Sequence, residues 1–326
     1  MEHNNQTFRP SSKLNTAVLF IVFKRLHTTR QVFDVIRKAK PPRLYIASDG
    51  AREGRADEEE QVIRVRDYVM NNIDWECEVK TLFREKNIGC KYGPGNAIKW
   101  FFEHEEMGII LEDDCLPVLS FFWYCEELLN RYKHSENIGV ISGRNHLEKY
   151  RKIKGCDFFI TTRGATWGWA TWKRSVDIFD IELGSGKGLR IYYKILANSG
   201  SFLEFIHMSR SIRKIRAGTV SAWDYQWNIA QLFNKKLALI PTRNMIKNIG
   251  FGDEATHTTY LFSDPLNSYD VNIPLHSVNP PFDPGFSKKT YFNDAIVKLK
   301  KHCYQIGSLF RRQPLKKVTF FPENAD

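Results

Sequence analysis

No run of 18 or more apolar residues occurs in this 326-residue chain, so no segment is expected to cross a membrane as a helix. The opening residues, MEHNNQTFRPSSKLN, are polar and lack the apolar stretch of a secretory signal, so none is expected. No CxxC pair exists. The six cysteines stand at 77, 90, 115, 125, 156 and 303, which excludes a zinc ribbon or a thioredoxin-like motif and reads as reduced thiols in a cytoplasmic protein. Internal repeats and low-complexity blocks are also missing. Acidic charge is in short supply: 48 Lys and Arg against 37 Asp and Glu leave a net charge of +11. That excess asks for an anionic partner (nucleotide, nucleic acid or anionic membrane) without choosing among them. What is plentiful is apolar material. Hydrophobic residues make up 42% and aromatics 13%, enough for a sizeable core and too much for global disorder.

The order of segments predicts alternating strands and helices. TAVLFIVF (16–23) is a compact apolar run with strand character, and TTRQVFDVIRKAK spaces Val32, Val35, Ile36 and Ala39 as on a helix, with Thr28 or Thr29 as its N-cap. RLYIASDG (43–50) reads as a second strand, EEEQVIRVRDYVMNNI as a second helix, and CEVKTLFRE as a third strand. GCKYGPG (89–95) reads as a glycine-rich loop, NAIKWFFEHEE as the next helix, and GIILEDD as a fourth strand. Such alternation implies a Rossmann-like, doubly wound, mostly parallel α/β sheet, whose ligands bind beyond the carboxyl ends of the strands. After residue 150 the pattern turns irregular, with FFITTRGATWGWATW (158–172), helical patches at 188–198 and near 222–234, and KLALIPTRNMIKNIGFGDEATHTT (236–259). The expected organisation is a flexible lead-in at 1–14, one domain at 15–285 and a tail at 286–326. The domain divides into a nucleotide-binding half (about 15–150) and a mixed acceptor half (about 151–285). Residues 287–318 carry nine Lys or Arg against the single acid Asp294, and AIVKLKKHCYQIGSLF within them reads as a basic amphipathic helix.

GIILEDDCLP (108–117) poses the sharpest question. Three like charges, Glu112, Asp113 and Asp114, end an apolar strand and repel one another unless a positive group sits there. Clustered carboxylates at a strand end suit Mg²⁺ or Mn²⁺, which keeps waters, takes one or two protein carboxylates and completes its shell with substrate phosphates.

With IASDG, GIILEDDCLP, ATWGWATW, SAWDYQW and NIGFGDEATHT in that order over residues 16–260, the chain resembles the GT-A fold glycosyltransferases. It is similar to bacterial nucleotide-diphospho-sugar transferases near family 2 and, more remotely, to the N-acetylglucosaminyltransferase I group, which also carries EDD in place of strict DxD. The resemblance implies that Asp49 accepts a hydrogen bond from uracil or another pyrimidine and that Arg25 contacts the diphosphate. It also implies that Asp114 ligates the metal, and that Glu112 and Asp113 serve ribose, sugar hydroxyls or metal-bound water. His257, at the end of NIGFGDEATHT, would reach the metal or diphosphate from a closing loop. Gly168 and Trp169 would meet the donor sugar, and Lys91 in GCKYGPG a phosphate, although that loop lacks the G-K-[ST] of a P-loop. Asp224 in SAWDYQW is the candidate general base of an inverting transfer. Trp223 and Trp227 beside it would raise its pKa and stack an acceptor sugar.

The expected activity is metal-dependent transfer of a hexosyl or N-acetylhexosaminyl group from a nucleotide-diphosphate sugar, UDP first, to a hydroxyl of a glycan or lipid-linked acceptor. A retaining course stays open, because fold does not fix stereochemistry. A nucleotidyltransferase ranks lower, since KRLHTTRQ lacks a glycine-rich loop. The non-enzymatic alternative is a basic membrane- or nucleic-acid-binding protein with a degenerate nucleotide site. No RRM-like, zinc-finger or helix-turn-helix pattern supports a nucleic-acid partner. The basic tail suits the inner face of a membrane, and a tail folded back on the domain suits it equally.

Overall fold

In the computed structural model of the protein, residues 8–150, 152–183, 188, 190–219, 221–251, 266–276 and 279–290 are described. The first half winds as the periodicity predicts: β1 (Val18–Val22), α1 (Leu26–Ala39), β2 (Arg43–Ser48), α2 (Ala56–Asn71), β3 (Glu78–Phe83), α3 (Gly89–His104) and β4 (Met107–Glu112). Then come β5 (Cys115–Pro117), α4 (Phe121–Arg131), β6 (Ile138–Ser142), β7 (Phe158–Thr161), β8 (Trp169–Trp172) and α5 (Lys173–Val176). The chain continues through α6 (Arg190–Asn198), α7 (Phe202–Arg216), α8 (Asp224–Phe233), β9 (Leu237–Pro241) and β10 (Ile246–Asn248).

Eight strands form one sheet in the order β3-β2-β1-β4-β8-β6-β9-β7. β3, β2, β1 and β4 are mutually parallel; β8 runs against both β4 and β6, β9 follows β6, and β7 runs against β9. Six strands therefore share one direction, and β8 and β7 oppose it. This is a Rossmann-like, doubly wound, mostly parallel α/β sheet with a mixed second half. β5 and β10 pair antiparallel as a separate small sheet.

Strand alternation sends side chains to two cores. Val18, Phe20, Ile109 and Leu111 pack under α1, α2 and α4, where Val32, Phe33, Val65, Phe121 and Leu128 are buried. Leu19, Ala47 and Ile110 face the other side, against Ala97, Ile98 and Phe101 of α3 and Trp223 and Trp227 at α8.

Several local expectations need correction. The N-cap of α1 is Arg25. Thr28 and Thr29 lie in the first turn, where their hydroxyls donate to the Arg25 carbonyl at 3.1 and 2.8 Å. GCKYGPG is not a loop but the first turns of α3, with Pro94 inside the helix. The stretches forming α4, β6 and α7 were not anticipated as elements. Among the described residues of the expected lead-in, Leu14 is buried and the Ser12 carbonyl accepts from the Trp123 indole at 3.0 Å. Just past the expected domain boundary at 285, Phe286 is buried, with its ring 5.1 Å from Tyr150 and 5.0 Å from Phe159. The basic segment beyond residue 290 lies outside the described residues.

Candidate functional site

β2 and β3 lie on one side of β1 and β4 on the other, so the winding reverses between β1 and β4. In doubly wound sheets the crevice beyond such a reversal is where ligands bind. Arg25, three residues past β1, and Glu112-Asp113-Asp114, at the end of β4, meet there. Arg25 Nη2 donates to Asp113 Oδ1 at 2.5 Å and to Asp114 Oδ2 at 2.9 Å. The Phe23 amide donates to Asp113 Oδ2 at 3.3 Å. In the folded chain, then, the positive group at the acidic triplet is a guanidinium. Pairing with both aspartates raises the Arg25 pKa against the opposing effect of its burial.

The triplet remains crowded. Burial, followed by the charges of Asp114, Asp113 and Asp224, pushes the Glu112 carboxyl up to about 8. Burial also raises Asp113, with Arg25 opposing. The Asp224 charge is near enough to act on Glu112, so the amino terminus of α8, 110 residues beyond Asp114 in the chain, lies near this cluster. α8 starts at Asp224, and Trp223 precedes it as the N-cap.

The second strand of the small sheet completes this corner. Its pairing sets Asn248 opposite Cys115, and the Ile249 amide donates to the Asp114 carbonyl at 2.8 Å. Gly250 follows. A Cβ there would stand 2.2 Å from Asp114 Oδ2 and 2.6 Å from Arg25 Nη1, so only glycine lets this backbone close on the pair.

Two cavities flank the cluster. The first, of about 240 Å³, lies over the ends of β1–β3 and reaches Glu112 and Asp113; Arg25, Asp49, Arg52 and Arg84 also line it. Asp49 accepts there from the amides of Gly50 at 3.1 Å, Gly89 at 3.0 Å and Ile88 at 3.0 Å, so its carboxylate caps the start of α3. Burial raises its pKa while these amides lower it. The second cavity, about 190 Å³, is lined by Asp224, Tyr225, His207, Arg144, His146 and Arg163 among others. Protein mass around the His146 ring, and then the charges of Arg144 and Arg163, hold its pKa down.

Four expected contacts are placed elsewhere. Trp169, Trp223 and Trp227 are core residues at 0%, 3% and 1% exposure. Trp169 stacks on Trp223 at 5.7 Å and packs on Trp227 at 4.7 Å, so none offers a face to a sugar. Lys91 turns away from the first cavity to pair with Glu182 at 2.9 Å. Gly168 has φ +62°, and its Cβ position would meet Ile246 Cδ1 at 2.4 Å, so its role is the turn into β8. His257 lies outside the described residues. Arg144, His146, Arg163 and His207 were missed. The available signal was the position of Arg144, just beyond the apolar strand IGVIS, where the acidic triplet stands relative to its own strand.

Among the described residues no three His, Cys, Asp or Glu side chains form a ready ligand set. The donor chemistry still fits a hard cation that takes one or two carboxylates and fills its shell with water and phosphate oxygens. Asp114, with Glu112 beside it, would supply those carboxylates.

No family model matches the chain, and no curated protein matches it. Among solved structures it is similar to HddC from Yersinia pseudotuberculosis complexed with GMP-PN (TM-score 0.31, 11% identity, 50% of this chain and 79% of that one). It is also similar to S. aureus TarS 1–349 (TM-score 0.36, 12% identity, 52% and 51%). A third likeness is to 4-diphosphocytidyl-2C-methyl-D-erythritol synthase from Anaerococcus prevotii (TM-score 0.32, 8% identity, 53% and 79%). These likenesses span about half of the chain.

Proposed function

We propose that the protein is a metal-dependent glycosyltransferase. On this reading it moves a hexosyl or N-acetylhexosaminyl group from a nucleotide-diphosphate sugar, UDP first, to a hydroxyl of a glycan or lipid-linked acceptor, with inversion. The observation that carries it is the convergence of Glu112, Asp113, Asp114 and Asp224 at one corner, with Arg25 across it and a cavity on either side.

The first cavity takes the nucleotide. Asp49, fixed by amides at the head of α3, presents a carboxylate edge to a base N–H. Arg25, held between Asp113 and Asp114, is oriented towards the diphosphate, for which a planar fork is suited. Asp114 and Glu112 would hold Mn²⁺ or Mg²⁺, which would supply Lewis acidity to the departing diphosphate. Cancelling the mutual repulsion of the acids is what favours the cation at this corner.

The second cavity takes the acceptor. Asp224 accepts the proton of the attacking hydroxyl, which approaches the anomeric carbon opposite the diphosphate.

The test is turnover by Asp224→Asn with nucleotide affinity measured alongside. Loss of transfer with donor binding retained supports the reading, and unchanged turnover removes Asp224 from the mechanism.

A further inference from the structure

α6 and α7 form a helical hairpin joined through Ser199–Ser201. The turn is built much as a capping box: the Ser201 hydroxyl accepts from the Glu204 amide at 3.2 Å, and Glu204 Oε2 accepts from the Gly200 amide at 2.8 Å. The inner faces are ordinary core. Ile191, Ile195, Met208 and Ile212 pack with Ile229 and Leu232 of α8.

The outer face is not ordinary. Tyr193 is 72% exposed, Leu196 54%, Phe202 70% and Leu203 38%, all close to the turn. Phe202 and Phe205 stack at 6.0 Å, so the two rings form one aromatic patch. At about 100° per residue, Phe202, Leu203, Ile206, Arg210, Arg213 and Lys214 fall in one arc of roughly 120° on α7. That stripe is apolar near the turn and basic further on. Arg210, Arg213, Lys214 and Arg216 are exposed, and the one acid between residues 190 and 216, Glu204, is buried and spent on the turn.

We infer that this hairpin is a contact for an anionic membrane surface. The aromatic tip enters the interface, and the basic stretch of α7 lies over the headgroups. Charge chooses the occupant. A clustered aromatic tip followed by cations, with no exposed acid, complements a surface that is apolar at depth and negative at its face. The consequence for the rest of the molecule follows from packing. The hairpin rests on α8, whose first residue is Asp224, and His207 of α7 lines the same cavity as Asp224. A membrane held against the outer face of α7 therefore lies beside the cavity proposed for the acceptor. The surface assignment itself does not depend on the donor chemistry.

The experiment is co-sedimentation of the full chain with phosphatidylcholine–phosphatidylglycerol vesicles and with phosphatidylcholine alone. Wild type is compared with Tyr193→Ser/Phe202→Ser and with Arg213→Ala/Lys214→Ala. The expected result is binding of wild type to the anionic vesicles, weakened at least about tenfold by the first variant through lost apolar burial. The second variant weakens it about tenfold and flattens its salt dependence. Both keep the wild-type melting temperature, because the altered side chains are exposed. The assignment is overturned by a wild type that does not bind, or by variants that bind as wild type does. Binding lost only on removal of residues 291–326 moves the contact to the tail and overturns it too. Variants that abolish self-association while leaving vesicle binding intact make the face a protein interface instead.

Discussion

Arg25 Nη2 stands 2.9 Å from Asp114 Oδ2, across the crevice between the ends of β1 and β4. Both side chains are mostly buried, and the same guanidinium holds Asp113. A buried pair contributes little by existing but costs several kcal/mol when one partner is removed. The pair therefore serves better as a device that aims charged groups than as a staple of the fold.

Gly250→Ala tests how tightly that device is enclosed. The added methyl would sit 2.2 Å from Asp114 Oδ2 and 2.6 Å from Arg25 Nη1, so the pair or the backbone must move. We expect a loss of about 1–3 kcal/mol in stability and a larger proportional loss in nucleotide affinity, read by thermal unfolding with and without ligand. A variant with wild-type affinity shows that the Arg25–Asp114 geometry is dispensable for binding.

Asp114→Ala tests the cation. Unfolding of the wild type is followed with UDP, GDP and dTDP, each with and without Mn²⁺. A ligand at about 100 times its Kd stabilises the native state by about 2.7 kcal/mol. The expectation is a Mn²⁺-dependent shift for one nucleotide, lost in the variant. A shift that ignores Mn²⁺ counts against metal-bridged binding, and no shift with any nucleotide counts against the donor site altogether.

Asp224→Asn is expected to lower kcat by about 10²–10⁴, the usual contribution of a positioned general base, with donor affinity within about twofold of wild type.

Trp227→Ala should behave as a core mutation. The side chain is 1% exposed and packs against Trp169 and Phe179. A loss of about 3–5 kcal/mol is expected in denaturant titration. An intact fold with a raised acceptor KM would restore the residue to sugar stacking.

Glu58 gives a pH dependence away from the cluster. It is buried and is held by Arg52, which lines the first cavity, and by Lys24 at 2.8 Å. Arg52 foremost, with Lys24, lowers its pKa far below the usual carboxylate range despite burial. The unfolded chain then binds this proton more readily than the folded one. The stabilisation is complete above the unfolded value of about 4.3 and is lost as pH falls towards the folded value. Wild type should exceed Glu58→Gln by about 2 kcal/mol at neutral pH, with the gap narrowing below about pH 4. A gap independent of pH would assign the effect to packing alone.

The first half of the fold was legible because its strands are short apolar runs and its helices amphipathic, each bounded by a turn residue. The α4–β6 stretch and α7 were not. α4 presents FFWYC, an apolar run without clear period, and α7 mixes buried serines with exposed phenylalanine. The tryptophans misled for a related reason. A Trp beside an Asp reads the same whether its ring faces a sugar or another indole, and only the packing of α8 on β8 decides between them.

By itself, the sequence determined that residues 16–112 wind a βα series and that three acids stand at the tip of its fourth strand, because local periodicity and strand-end position are encoded by neighbouring residues. The tertiary structure alone decided that β4 lies beside β1 on the side away from β2, which brings Arg25 onto Asp113 and Asp114. It alone carried Asp224 and Gly250 to the same corner, across more than a hundred residues of chain. Such meetings are set by which faces bury together, and no local pattern of residues records them.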